Sequence, residues 1–587
     1  QMCIRDRGSD PPRYSVHFQG RRTFGQSIRT RLFQQAGAED SVFVPIFREY
    51  ILICLSCRLI TGDRSLSESK YLEKRSRIYP AFWYLCKDFT NRNRMYMKGF
   101  AGLVSLVLGV AALAVSCSKD KVKGTLEFEV PAVFMQAGDE AVVRFSSSRI
   151  ESFTVTQKPT GWNDPVVDIA ARTVTIVSPV TFGEDIEGED GETTTVETSG
   201  TVVLTGYSSD GVAASASLFV SVTSTVDLEG PANCYLVNKP AKNYRFDVRH
   251  TGNGASTIEP ASLAVVWQSK SGLIEYLRLT DDGKASFYID ADEDDDTRIA
   301  QGNALIGAYD ASDNLLWSWH VWAADYDPEA ADGTVVFNGQ EMMTRNLGAL
   351  DNDNSTTDRI LASYGTYYQW GRKEPFIGPN TYSAGSGSSA TMYNGSGGRV
   401  TLETVAASAE TGTAAYALQH PLTYITGVTD SSNDWCWAHD SSLWSAAEKT
   451  ENDPCPAGWR VAPASAYAGL AISGTPGASD FDKYGWTFTR EGASSFFLGA
   501  GRRLYTNGKI QNLYVVVPAS SSLSTRNVAE DAQPWEGLYW TADPASEGSD
   551  AQAFYFWFEK KSSTGGVTES KPYARANGMQ VRCVREK

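Results

Sequence analysis

The chain has 587 residues, 42% of them hydrophobic, with 69 acidic against 53 basic side chains and a formal charge of −16. That is length for several domains and enough apolar material for each to bury a core. Phosphate binding rests on clustered Lys and Arg, and no basic stripe occurs here, so nucleic acid is excluded as a partner. An acidic surface suits a solvated extracellular protein and permits calcium without demonstrating it.

Residues 1–96 stand apart, with 17 Lys+Arg against 9 Asp+Glu and no sustained period of 2 or 3.6. The opening Gln1-Met2-Cys3-Ile4-Arg5-Asp6-Arg7 resembles translated sequencing-adapter read-through. We read 1–96 as a non-native or disordered prefix, with Met97 (or Met95) as the working start. The competing reading is a basic N-terminal domain with an internal membrane anchor. Cys54-x-x-Cys57 lacks a second pair and a βαβ context, so it carries no redox or zinc assignment. From Met97 onward the chain holds 36 basic and 60 acidic groups, a net of −24.

Residues 97–117 place Lys98 beside an apolar run, Ala101 to Val115, and lead through small residues to Cys117. The segment resembles a bacterial lipoprotein signal peptide and lipobox. Ala114 stands where that family prefers Leu, and Leu113 lies one step earlier. The resemblance implies that the signal is cut before Cys117 and that Cys117 carries a lipid anchor, placing the protein at the outer membrane and the cell surface. A plain transmembrane helix is the alternative. The run is at the short edge for spanning, and a lysine-bearing tail follows at once.

After Cys117 the chain is rich in Gly, Ser, Thr, Val, Tyr and Trp, with short alternating strands and few amphipathic helices, so it reads as mostly β and multidomain. Residues 118–225 hold Thr125 to Val130, Val142 to Phe145, Val174 to Val177, Thr201 to Thr205 and Leu218 to Val222. Strands of that length and spacing predict an immunoglobulin-like β-sandwich. Glu184 to Glu192 reads as a solvated acidic hairpin tip. Residues 226–330 predict a second sandwich. Its segments Ala232 to Val237, Ala264 to Gln268, Gly302 to Ile306 and Leu315 to Trp322 resemble a module of Bacteroidetes surface proteins. In the last of these, Trp317, Trp319 and Val321 face one way and Ser318, His320 and Trp322 the other. Residues two apart on a strand rarely meet in nucleophile–base geometry, so a core role for the tryptophans outweighs a Ser318–His320 catalytic pair. Asp290 to Asp296 lacks the glycine and spacing of a calcium loop.

Residues 331–587 contain five ordered blocks: Met343 to Ala349, Tyr364 to Phe376, Asp453 to Val461, Tyr539 to Ala542 and Gly578 to Val584. Together they resemble the Fibrobacter succinogenes major paralogous (FISUMP) domain. After the third block, Ala462-Pro463-Ala464-Ser465 replaces the family's acidic helix start, and proline still fits a first helical turn. Gly378 to Ala446 reads as a variable Gly/Ser-rich insertion. The resemblance implies an α+β domain of the C-type-lectin-like and formylglycine-generating-enzyme-like kind, carried behind two sandwiches that act as spacers.

Four cysteines follow Cys117, and sequence alone does not choose among their three pairings. The FISUMP resemblance puts Cys455 and Cys583 in structural blocks and implies that they bridge each other. Cys436 is then alone or pairs with Cys234. No soft-donor metal set remains. Asp351-Asn352-Asp353-Asn354-Ser355 has no glycine at its sixth place and no acid at its twelfth, so it reads as a polar loop. No metal and no cofactor are expected. Trp435, Trp437, His439 and Asp440 form a candidate sugar-stacking site, with a buried aromatic cluster as the other reading. Two functions follow. One is a binding or adhesion module for a glycan, a surface protein or an assembly partner. The other is an enzyme of the formylglycine-generating-like or carbohydrate-active class.

Overall fold

The structure is a computed structural model and describes residues 124–587 other than 183–184, 188–192, 354, 384–386, 428–431, 473–484, 512–534, 547–548 and 560–563. The prefix, the signal segment, Cys117 and most of the Glu184–Glu192 tip lie outside the described residues. The described chain is a mostly β, multidomain protein. None of its helices is long and apolar enough to cross a membrane.

Period-two alternation builds the first sandwich. Glu140–Ser148 buries Val143 and Phe145 while Val142, Arg144 and Ser146 face solvent. One sheet runs Thr125–Phe128, Glu140–Ser148, Thr173–Val177, Val166–Asp168. The other runs Ala132–Met135, Ala213–Val222, Ser199–Tyr207, Ser152–Gln157. Between them Phe145, Val174, Ile176, Leu204 and Leu218 close around Trp162. The Trp162 indole donates to the Glu197 carbonyl at 2.8 Å. Ala132–Met135 pairs in parallel with the end of Ala213–Val222, from Phe219↔Ala132 to Val222↔Met135.

Thr223 and Ser224 alone separate that strand from Thr225–Asp227, the first strand of the second sandwich. An aromatic contact spans the joint: Phe134 stacks on Tyr288 at 5.4 Å and Phe219 on Tyr276 at 4.6 Å. The second sandwich sets a four-stranded sheet (Thr225–Asp227, Lys242–Asp247, Lys284–Ile289, Glu275–Leu279) against a six-stranded one. The larger sheet runs Cys234–Val237, Leu315–Ala323, Gly302–Tyr309, Ser262–Gln268, and continues into Met392–Tyr393 and Arg399–Val400. Its first strand is parallel to the second, Cys234↔His320 through Val237↔Ala323.

The two added strands come from the Gly/Ser-rich insertion, so the C-terminal domain completes a sheet of the second sandwich. The strand Leu315–Ala323 is buried on both faces, because core residues of the C-terminal domain pack on the face turned away from the sandwich. Trp317, Trp319 and Val321 fill the sandwich core. On the opposite face Trp322 packs with Met343, Leu347, Trp370 and Trp459 of the C-terminal domain. Its indole donates to the Ala349 carbonyl at 3.0 Å. Asn233 donates to the carbonyls of Glu451 and Asp453, and Asn303 to that of Gly348. The reading of this sandwich as a spacer is therefore corrected: it shares a buried core with the C-terminal domain, and separating them would expose tryptophan and unpaired backbone carbonyls.

The C-terminal domain combines a sheet of Thr334–Phe337, Gln340–Met343, Cys583–Arg585 and Trp459–Val461 with a larger mixed sheet. The larger sheet carries Thr366–Gln369, Gly578–Val581, Trp535–Pro544, Asp550–Glu559 and Thr564–Ala574. Its described residues also hold two short helices, Thr357–Ser363 and Ala414–Gln419, a 3-10 turn at Ala464–Tyr467, and a three-stranded sheet of Ala471–Ile472, Gly485–Arg490 and Ala493–Leu498. Pro463 stands at the N-cap of that 3-10 turn.

The blocks noted in the sequence meet inside this domain. Asp453 holds the Cys455 and Val461 amides, each at 2.9 Å, and Gly458 takes a positive φ of 75° in the turn between them. Arg582 donates to Asn346 at 3.0 Å and to Ser495 at 2.9 Å. Cys455 and Cys583 form a disulfide across 128 residues of sequence, with Cα atoms 6.0 Å apart.

Candidate functional site

The strand Thr366–Gln369 ends in Trp370-Gly371. Gly371 has φ 87°, and a Cβ there would lie 2.8 Å from the Leu443 side chain, so only glycine fits the turn. The turn drives three consecutive charged residues, Arg372, Lys373 and Glu374, into the interior, where each is at most 3% exposed. Glu374 sits between the two cations, 3.1 Å from Arg372 Nε and 3.1 Å from Lys373 Nζ. Lys373 also donates to the Ser318 carbonyl (3.0 Å) and to Ser318 Oγ (2.7 Å), and lies 4.4 Å from the centre of the Trp317 ring. Arg372 donates to Gln369, to the Thr423 carbonyl and to the Ala417 carbonyl. Burial lowers the pKa of Lys373 and of Arg372. Burial alone would raise that of Glu374, but Lys373 and Arg372 outweigh it and hold the carboxyl ionised. Buried charges persist only when paired and hydrogen-bonded in this way.

Above the triad lies a cavity of about 140 Å³. Its floor is Gly371 to Glu374. Trp317 of the second sandwich, Trp435, Ala417 and Leu418 wall it, and Ala414, Ala415, Glu451 and Asn452 complete the lining. Ala414 and Ala415 are exposed, and Glu451 and Asn452 half-buried, so these four stand at the mouth. The site is composite, because without the second sandwich it loses both Trp317 and the Ser318 groups that seat Lys373. The sequence reading missed it. Three charges running between Trp370 and Phe376 in an otherwise apolar block were the available signal. Their partner, Ser318, is 55 residues away, and nothing in the sequence points to it.

The candidate sugar-stacking loop divides. Trp435 is 1% exposed and donates its indole N–H to the Trp370 carbonyl at 2.7 Å, so it cannot serve as an open platform. Trp437 is 42% exposed. His439 leans on the buried Asp434 at 3.2 Å. Asp440 Oδ1 accepts from the Ser442 amide and hydroxyl, at 2.8 and 2.6 Å. Trp435, Trp437, His439 and Asp440 therefore do not converge on one surface. This corrects the four-residue site, the physical reason being that packing with Leu443 and Ile425 and the hydrogen bond to the Trp370 carbonyl draw Trp435 inward. Burial holds the Asp434 carboxyl above its ordinary range.

Ser318 and His320 are both buried but engage different partners. His320 Nε2 meets Asn303 Oδ1 at 2.8 Å, and Nδ1 meets the Tyr368 hydroxyl at 3.3 Å. Burial lowers its pKa to about 3, so the ring is neutral, with Nε2–H donating and Nδ1 accepting. Cys234 and Cys436 are buried free thiols in separate cores, and burial raises both pKa values. The pairing of Cys436 with Cys234 is thus not made. Among the described residues no three His, Cys, Asp or Glu side chains group to hold a metal ion.

No family model matches the chain, and no curated protein matches it. Among solved structures it is similar to the N-terminal eight Ig domains of Down syndrome cell adhesion molecule, at 11% identity over 35% of this chain and 24% of that one, with a TM-score of 0.11. It is also similar to the first four cadherin domains of protocadherin gamma B7, at 10% identity over 34% and 50%, TM-score 0.12. A third is the human desmocollin-1 ectodomain, at 11% identity over 39% and 44%, TM-score 0.12. The matched part thus spans a quarter to a half of those chains. At such TM-scores the likeness carries no argument about this protein.

Proposed function

We propose that this chain is a surface lipoprotein, anchored in the outer membrane through acylated Cys117, whose FISUMP-like C-terminal domain acts with the second sandwich as one binding and adhesion module. The observation that carries the binding reading is the composite cavity. Two modules jointly wall a recess with tryptophans and stand it on a fully satisfied charged floor, an arrangement that a mere spacer does not need. A glycan, a surface protein or an assembly partner remains the ligand class at this level. The acidic surface favours partners that are neutral or basic. No observation favours the enzyme alternative: the two free thiols lie in different cores, and the buried His320 is committed to Asn303 and Tyr368.

Two measurements test the proposal. The expressed chain should incorporate labelled palmitate, and its Cys117→Ala variant should not; equal labelling removes the anchor. A glycan and surface-protein array probed with the intact chain should give capture that Trp317→Ala weakens. Capture that this variant leaves unchanged removes the cavity from the proposal.

A further inference from the structure

We infer that the cavity between the second sandwich and the C-terminal domain takes a neutral, polyhydroxylated group about the size of one sugar ring; this rests on the binding reading above and specifies its ligand. The charges of the floor are already spent on one another and on the protein. All three N–H groups of Lys373 have acceptors: the Ser318 carbonyl, Ser318 Oγ and Glu374 Oε1. Arg372 gives its Nε to Glu374 and its terminal nitrogens to Gln369, Thr423 and Ala417. A charged ligand therefore finds no free counter-ion below it.

The unspent polar capacity is at the mouth. Glu451 accepts from Thr251 through Oε1 at 2.6 Å, and no described side chain donates to its other oxygen. The Asn452 carbonyl accepts from Trp444, while its side-chain amide makes no hydrogen bond among the described residues. A carboxylate oxygen accepts hydroxyl protons, and an amide both donates and accepts. That set matches hydroxyl groups, which do both.

Charge decides against the ionic alternatives. An ammonium ion drawn to Glu451 would approach Arg372 and Lys373, and a carboxylate or phosphate would approach Glu374 and Glu451. Lining charges of both signs in equal number give neither ion a net attraction, whereas neutral hydroxyls bear no such cost. The apolar wall at Trp317 and Leu418 offers contact for the C–H face of a ring. The volume sets the size. About 140 Å³ falls below the ~300 Å³ of a drug-sized pocket, so it admits one ring and not an oligosaccharide or a folded peptide.

The test is a titration of the intact chain, followed by calorimetry and by saturation-transfer NMR. The probes are a panel of neutral methyl glycosides, ethanolamine, acetate and inorganic phosphate. Glu451→Ala probes the mouth. Ala415→Trp blocks it from an exposed position where a large side chain can be tolerated, and the melting temperature of each variant confirms folding. The expected result is saturable binding of at least one neutral glycoside, weakened about tenfold or more by Glu451→Ala and by Ala415→Trp. Binding of only ethanolamine, acetate or phosphate that Ala415→Trp abolishes would overturn the ligand class and leave the cavity as a binding site. No binding of any probe, or binding that either variant leaves unchanged, would overturn the site as well.

Discussion

Trp435 and Trp437 are two residues apart in one loop and have opposite fates, which makes them a direct test of burial against exposure. Trp435→Ala removes a buried side chain packed among Leu443, Ile425 and Ala576 and should cost roughly 3–5 kcal/mol in chemical denaturation. Trp437→Ala should cost under about 1 kcal/mol. Similar costs for the two would refute their placement. The buried triad makes a different contrast. Glu374→Gln leaves two cations without a counter-charge and should cost roughly 3–5 kcal/mol, whereas Lys373→Met leaves the Arg372–Glu374 pair intact and should cost less. The reverse order would show that Glu374 is not the keystone of the three. His320 sets a pH dependence. Its folded value of about 3 lies below the ordinary 6.5, so the unfolded chain binds the extra proton between those values. Stability from this group is full above about pH 6.5 and falls as the pH drops toward 3, by at most ~1.4 kcal/mol per pH unit. Melting curves between pH 7 and about pH 5 should therefore fall less steeply in His320→Gln than in the parent chain. Identical slopes would show that His320 is not buried neutral. These environments were only half legible in the sequence. The alternation of Trp317 to Trp322 gave the facing of each side chain, but not that both faces would be covered, because the covering residues lie beyond position 340.

At the level of elements, short alternating strands announced the two sandwiches, since a half-buried sheet writes its period into the chain. The Gly/Ser-rich stretch from Gly378 read as an insertion because its composition carries no period. The structure nevertheless draws Met392–Tyr393 from it onto Ser262–Gln268, pairing Tyr393 with Gln268. Such pairing depends on a partner more than 100 residues away, which no local pattern encodes. The disulfide between Cys455 and Cys583 closes a loop of 128 residues and stabilises by up to about 4–5 kcal/mol in the chain-entropy account. Cys234 and Trp322 of the second sandwich share its core. Replacing both cysteines with alanine should therefore raise amide exchange in Cys234–Val237 and Leu315–Ala323 as well as in Trp459–Val461. The first sandwich, with its own core, should keep its protection. Exchange confined to the C-terminal domain would show that the shared core is not cooperative.

For the molecule as a whole, the shared sheet decides where the chain can be cut. A fragment of residues 226–587 keeps every strand of the six-stranded sheet and should unfold cooperatively. A fragment of 331–587 loses the cover over Met343, Leu347 and Trp370 and should aggregate or show a broad, weak transition by circular dichroism. Equal cooperativity of the two fragments would contradict the common core. The parallel pairings have a mechanical side. In the first sandwich an early strand, Ala132–Met135, lies parallel to the last, and in the second Cys234–Val237 lies parallel to the last. A chain held at its N-terminal side and pulled from its C-terminal domain would load each of these ladders along the strand axis. All of a ladder's hydrogen bonds would then have to slide together, where an antiparallel hairpin pulled at its open end parts one bond at a time. With only Thr223 and Ser224 between the sandwiches, little slack absorbs the load first. Under such a pull tension would reach the two clamps in series, and the weaker of them would set the force at which the chain gives way.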